Sequence, residues 1–299
     1  MLSARRAPYC EGVRASGVLD RPPGVERGDH VCWAYDDDAA FEHAAVRFLS
    51  EGLARGDRLL WVGDGAEDRL RRSSGPLADV GGLTGRGALQ VLSVADGYAA
   101  AGPFAPERQL EFYDAATRRA IDEGYRGLRV VAEITSLAAD ETKRAQLLSW
   151  EHLADDFVAH GPGFSALCAY RRDLLPAETV ADVVSLHPVA HADGAATAFR
   201  VWFDEDALRL AGDVDAFGAG RLARLLASTH ADAPLVTLDL TEVAFIDLAG
   251  VRAIASWAQQ LAGSDRRLVL RGASRLFRRM WGLLTPTDGA AVSFSPGQR

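Results

Sequence analysis

Lysine is almost absent. Of 33 basic residues only Lys143 is lysine. A phosphate-binding Walker loop needs a lysine among glycines, and Lys143 stands in Glu141-Thr142-Lys143-Arg144 with no glycine near it. P-loop nucleotide hydrolysis is excluded. Cysteine is scarce as well: Cys10, Cys32 and Cys168 are too few and too scattered for a disulfide framework or a four-thiolate zinc site. No apolar run approaches the roughly 20 residues that cross a bilayer, and residues 1–10 lack the apolar core of a secretory signal. A cytoplasmic protein with no membrane partner is expected. Neither a Gly-x-Ser-x-Gly elbow nor a His-Glu-x-x-His zinc helix occurs. Gly63-x-Gly65 follows a strand pattern, but no third glycine arrives to complete a dinucleotide fingerprint, so it reads as a turn. The formal net charge of -8 argues against binding nucleic acid through phosphate contacts.

What is there suits a soluble α/β protein. Hydrophobic residues make up 48% and charged residues 25% of 299, a globular balance with room for two domains. The charge divides unevenly: residues 198–299 carry +1 and residues 1–197 carry -9. Residues 1–24 have no periodicity and end in Arg21-Pro22-Pro23-Gly24, which reads as a flexible lead-in. Between 25 and 190, short apolar runs at 30–35, 58–62, 89–94, 128–134 and 164–170 alternate with helical spacing at 38–54, 106–123, 140–160 and 177–186. Such alternation needs crossovers and predicts a parallel sheet with helices on both faces. Residues 191–197 read as a linker. A smaller α/β domain is expected over 198–292. It opens with a hairpin (199–203 and 208–211) and continues with a helix at 217–229, a strand at 235–240 and a helix at 249–261. A strand at 268–270 and an amphipathic helix at 274–284 follow, the helix striped by Leu276, Phe277, Met280, Trp281 and Leu284.

Ligands of open parallel sheets bind beyond the carboxyl ends of the strands. Here those ends bear Tyr35-Asp36, Gly63-Asp64, Glu133-Ile134-Thr135 and Tyr170-Arg171. The rim suits a small polar or amphipathic ligand, while the bland alternative is helix capping, the favoured reading for Asp36 and Asp64. His30 and Cys32 lie two apart on a strand and share a face. They are either half of a metal site, with His43, Glu133 or His187 to complete it, or a buried thiol beside a hydrogen-bonded histidine.

The stretch Asp29-His30-Val31-Cys32-Trp33-Ala34-Tyr35 resembles the opening of the MEDS (methanogen/methylotroph sensory) domain family. Phe41-Glu42, Phe48-x-x-x-Gly52-Leu53-x-x-Gly56-Asp57, Val131-Ala132-Glu133, the run Gly163 to Tyr170 and His187-Pro188 continue the likeness. It implies a RecA-like sensory domain without Walker motifs that binds small molecules. On this reading His30, Cys32, Tyr35, Glu133, Tyr170 and Arg171 form the ligand-binding set, with no cofactor and no metal. In the second unit, Leu238-Asp239-Leu240-Thr241-x-Val243-x-Phe245-Ile246-Asp247-Leu248-Ala249-Gly250-Val251 resembles the STAS signature of sulfate transporters and anti-sigma-factor antagonists. The antagonist branch implies an anti-sigma factor or related kinase-like partner, docked on Asp247, Leu248, Ala249, Gly250 and Val251. The resemblance also implies a phosphorylatable serine or threonine after the loop aspartate. Leu248 stands there, followed by Ala249, so no phosphorylation is expected; Ser256 and Thr241 read as structural. The combination predicts a non-enzymatic signalling regulator. Its rivals are a constitutive scaffold and a metal-dependent degenerate enzyme using His30, Cys32 and Glu133.

Overall fold

The computed structural model describes residues 17–18, 29–98, 103–161, 163–192, 197–204, 206–230, 233–284 and 291–297. Cys10, Pro162, most of the expected lead-in and the middle of the expected linker lie outside them.

The first half runs β1 (Gly17–Val18), β2 (His30–Tyr35), α1 (Asp38–Arg55), β3 (Arg58–Val62), α2 (Ala66–Arg72), α3 (Val80–Gly85), β4 (Leu89–Leu92) and α4 (Val94–Tyr98). It continues through α5 (Pro106–Asp122), β5 (Leu128–Glu133), α6 (Thr135–Ala139), α7 (Glu141–His160), β6 (Phe164–Arg171), α8 (Ala177–Ser185) and β7 (Val189–Ala192). The sheet order is β1-β7-β2-β6-β5-β3-β4, and every pairing is parallel. Two pieces depart from expectation. Gly17–Val18 pairs with β7, inside the segment read as lead-in. β7 itself carries the sheet two residues into the expected linker, where His191 and Ala192 align with Trp33 and Ala34. Four residues, two of them alanine and one histidine, give little local strand signal; pairing with β2 decides them.

Alternation along the strands sorts side chains onto two faces. Cys32 and Ala34 of β2 join Val130 and Ala132 of β5 and Cys168 and Tyr170 of β6 under α5, α7 and α8. Val31, Trp33 and Tyr35 point the other way, into a core shared with Phe41 and Phe48 of α1. α1 begins at Asp37, whose side chain accepts from Ala39 N, and ends at Gly56 with φ 84°, the left-handed conformation that closes a helix without Cβ strain.

The second half comprises β8 (Phe199–Asp204), β9 (Ala207–Val214), α9 (Ala216–Ala227), β10 (Leu235–Asp239), β11 (Val243–Ile246), α10 (Leu248–Ala262), β12 (Arg267–Arg271), α11 (Arg275–Leu284) and β13 (Val292–Ser295). β8 and β9 form the antiparallel hairpin, and the remaining neighbours pair in parallel in the order β11-β9-β10-β12-β13. β11 and β13 carry little sequence signal. Each has only four residues, and the pairing of β11 with β9 is irregular between Val243 and Phe245. On α11 only Phe277 and Trp281 are buried; Leu276, expected on the same stripe, is 62% exposed.

The halves pack against one another through α7. His152 Nε2 donates to the Leu225 carbonyl at 2.8 Å, and Phe203 N–H donates to Asp155 Oδ2 at 2.5 Å. Arg224 holds both carboxylate oxygens of Asp182 on α8, at 2.9 and 3.2 Å. One apolar core is continuous from Tyr113 and Trp150 to Leu222 and Leu225.

Candidate functional site

The six residues expected to bind ligand divide between the two faces. Tyr35, Glu133 and Arg171 reach the carboxyl edge on the α1 side. Tyr35 Oη donates to Glu133 Oε1 at 3.2 Å, Thr135 Oγ1 donates to the same oxygen, and Arg171 N–H donates to Thr135 Oγ1 at 2.8 Å. Burial raises the Glu133 carboxyl above the usual range against the hydrogen bonds from Thr135 and Tyr35. Burial and the Glu133 charge likewise push the Tyr35 phenol up. Arg171 is bound within the rim, by Asp173 at 2.7 Å and Asp38 at 2.9 Å, and Arg172 Nε donates to Asp36 at 3.0 Å. Asp36 is therefore an ion-pair partner, and Asp37 does the capping. Asp64 does not cap the helix that follows it, whose N-cap is Gly65; it accepts from Val94 N.

His30, Cys32 and Tyr170 are fully buried on the opposite face. His30 opens β2 at the amino edge, away from the rim, and it meets residues that spacing did not join to it. His30 Nε2 lies 3.3 Å from Glu151 Oε2 and 3.4 Å from Cys168 Sγ, and His187 Nε2 lies 3.2 Å from the same Glu151 oxygen. Burial alone would raise Glu151, but the imidazoles of His187 and His30 close beside it outweigh burial and hold the carboxyl well below its ordinary range. Burial opposes protonation of His30, yet Asp155 and Glu151 raise it overall; His187 is lowered by burial and by His30. Burial pushes both the Cys32 and Cys168 thiols up, which leaves them protonated and inert as nucleophiles at neutral pH. His187 is the one extra ligand named from sequence that joins His30. His43 is exposed on α1, and Glu133 lies at the rim. Glu151 and Cys168 were not foreseen as partners of His30: Glu151 is one of several polar residues on a long helix, and its spacing does not single it out.

A cleft of about 650 Å³ opens beside the rim, between the halves. Asp36, Arg172 and Asp173 from the strand ends line one wall, with Val180 of α8; Phe217, Gly218 and Arg221 of α9 line the other. None of the six expected ligand residues lines it. Phe217 is 95% exposed at its mouth.

In the second half, Asp247 caps α10 by accepting from Gly250 N at 3.0 Å. Leu248 follows at the exposed helix start, 38% exposed, after Phe245 at 52%. Gly250 and Val251, expected in the docking surface, are buried instead. The backbone of Gly250 is so close to Val214 and Ile246 that a Cβ would meet their side chains at 2.8 and 2.7 Å. Phe245 and Leu276 flank a shallow apolar groove floored by Leu240, Ile246 and Phe277. Ser256 is exposed in mid-α10, and the Thr241 hydroxyl lies beside Gly272 and Gly297.

The family model described as "MEthanogen/methylotroph, DcmR Sensory domain" matches residues 29–188, and the one described as "Mlab, STAS domain" matches residues 198–284. No curated protein matches the chain.

Proposed function

The chain belongs to the MEDS sensory-domain family, with a STAS domain after it, and from that pairing we propose a signalling regulator whose first domain takes a small ligand and whose second domain docks on a partner protein. The observation that carries the reading is the cleft walled by both domains. A ligand there touches the strand ends through Arg172 and Asp36 and the second domain through Phe217 and Arg221. It biases the domain arrangement by as much as it binds one arrangement better. The partner is an anti-sigma factor or related kinase-like protein, met by Leu248, Ala249 and Phe245, with Asp247 holding the helix start in place. Because Leu248 carries no hydroxyl, ligand occupancy stands where phosphorylation would, and the chain makes and breaks no bonds.

The test is the affinity of the full chain for a purified anti-sigma factor or kinase-like protein of the same cell, with and without small polar or amphipathic compounds. Leu248→Glu is expected to weaken binding about tenfold or more, roughly 1.4 kcal/mol, with circular dichroism unchanged, and the kinase-like partner is expected to leave no phosphate on the second domain. Affinity indifferent both to Leu248→Glu and to every compound would discard the reading. The apolar core running through both domains favours a second one, a fixed scaffold. In that case Leu248→Glu acts as stated, but no compound changes the affinity.

A further inference from the structure

We propose that His30, Glu151, Cys168 and His187 bind one divalent transition-metal ion, zinc by their donor set, at a site buried between β2, β6, α7 and the end of α8. The four ligand atoms all lie within 4.8 Å of one another, and all four residues are buried. Tetrahedral zinc with bonds of about 2.0–2.3 Å places neighbouring ligand atoms roughly 3.2–3.8 Å apart. The contacts here are 3.2, 3.3 and 3.4 Å.

Three of the ligands are oriented from behind. His187 Nδ1 donates to the Val183 carbonyl at 2.7 Å, which leaves Nε2 to face the cluster. His30 Nδ1 lies 3.2 Å from Asp155 Oδ1, the carboxylate behind a histidine that commonly supports zinc. Tyr170 Oη donates to Glu151 Oε1 at 2.5 Å, so Oε2 is the oxygen turned inward. Glu151 Oε2 and His187 Nε2 complete no hydrogen bond of good angle, although both are fully buried. Such atoms are costly to leave unsatisfied, and one cation satisfies both. Two neutral imidazoles, one carboxylate and one thiolate also balance a charge of two. With no exposed ligand, the ion enters during folding and serves as a structural clamp. Asp155 extends the clamp: its second oxygen accepts from Phe203 N–H, the first strand of the STAS domain.

The proposal is independent of the partner reading, and its test needs no partner. The full chain is purified without chelator and its metal measured by mass spectrometry. It is then unfolded with chelator and refolded with zinc or cobalt(II). About one zinc per chain is expected, with a melting temperature that rises on refolding with zinc. The cobalt form is expected to show tetrahedral ligand-field bands and a thiolate-to-cobalt charge-transfer band. Cys168→Ser removes the charge-transfer band, His187→Ala weakens zinc about tenfold or more, and Cys32→Ser keeps metal and spectrum. A folded, metal-free wild type whose melting ignores zinc overturns the proposal, leaving a protonated His30 held between Glu151 and Asp155. A charge-transfer band that survives Cys168→Ser and vanishes in Cys32→Ser overturns the ligand assignment.

Discussion

Glu133 lies mostly buried beneath Tyr35 and Thr135, and burial raises its carboxyl. An acid whose folded pKa is raised supports stability below its unfolded value, and that support is lost as pH rises through the folded value. Glu133→Gln keeps an oxygen for Tyr35 and Thr135 without the charge. Its urea midpoint is expected above wild type at pH 7, with the gain shrinking to nothing below about pH 4. A variant no more stable at neutral pH would mean that the rim solvates the carboxylate well. Gly250 makes a different demand. A methyl group there meets Ile246 and Val214 under 3 Å away, so Gly250→Ala is expected to cost about 1–3 kcal/mol in denaturant unfolding. Both residues stood out in the sequence by motif, Glu133 at a strand end and Gly250 after the loop aspartate. Their surroundings did not. His30 finds Asp155 and Cys168 at separations of 125 and 138 residues, and no local pattern encodes such a meeting.

The start of α10 combines two jobs in adjacent residues. Asp247 satisfies an amide of the first turn, and Asp247→Ala is expected to lower stability by about 1 kcal/mol in the same unfolding assay. Leu248, 38% exposed and the proposed partner contact, is expected to tolerate Leu248→Glu with an unfolding midpoint within about 0.5 kcal/mol of wild type. α7 is the opposite kind of element. Its boundaries were legible, with Asp140 capping Thr142 and Gly161 ending the helix. Its buried face was not, because Glu151, His152 and Asp155 are polar and nothing in their spacing marks them as buried beneath β2, β6 and the second domain. A period of 3.6 reports which side chains share a stripe. It reports burial only when the stripe is apolar.

Across the whole molecule the core does not stop at the domain boundary. One calorimetric unfolding transition is expected for the full chain, and two resolved transitions would show halves that fold independently. Arg224 and Arg221 neutralise Asp182, which is 2% exposed; its carboxyl is raised by burial despite Arg224. Arg224→Ala leaves only Arg221, 3.7 Å away, and is expected to cost about 1–2 kcal/mol, less than a fully buried pair because Arg224 itself is half exposed. The amino-acid order alone determined two α/β units, a parallel sheet in the first, the absence of a P-loop and a leucine directly after Asp247, since each follows from local spacing or from which residue occupies one position. Only the tertiary structure decided that His30 meets Cys168 and Glu151, with Cys32 paired beside Cys168 but outside that ligand group. It also opened the cleft between the domains and buried Gly250 and Val251. The reason is geometric: strand order and crossover packing bring together side chains more than a hundred residues apart, and chain-local chemistry carries no record of those neighbours.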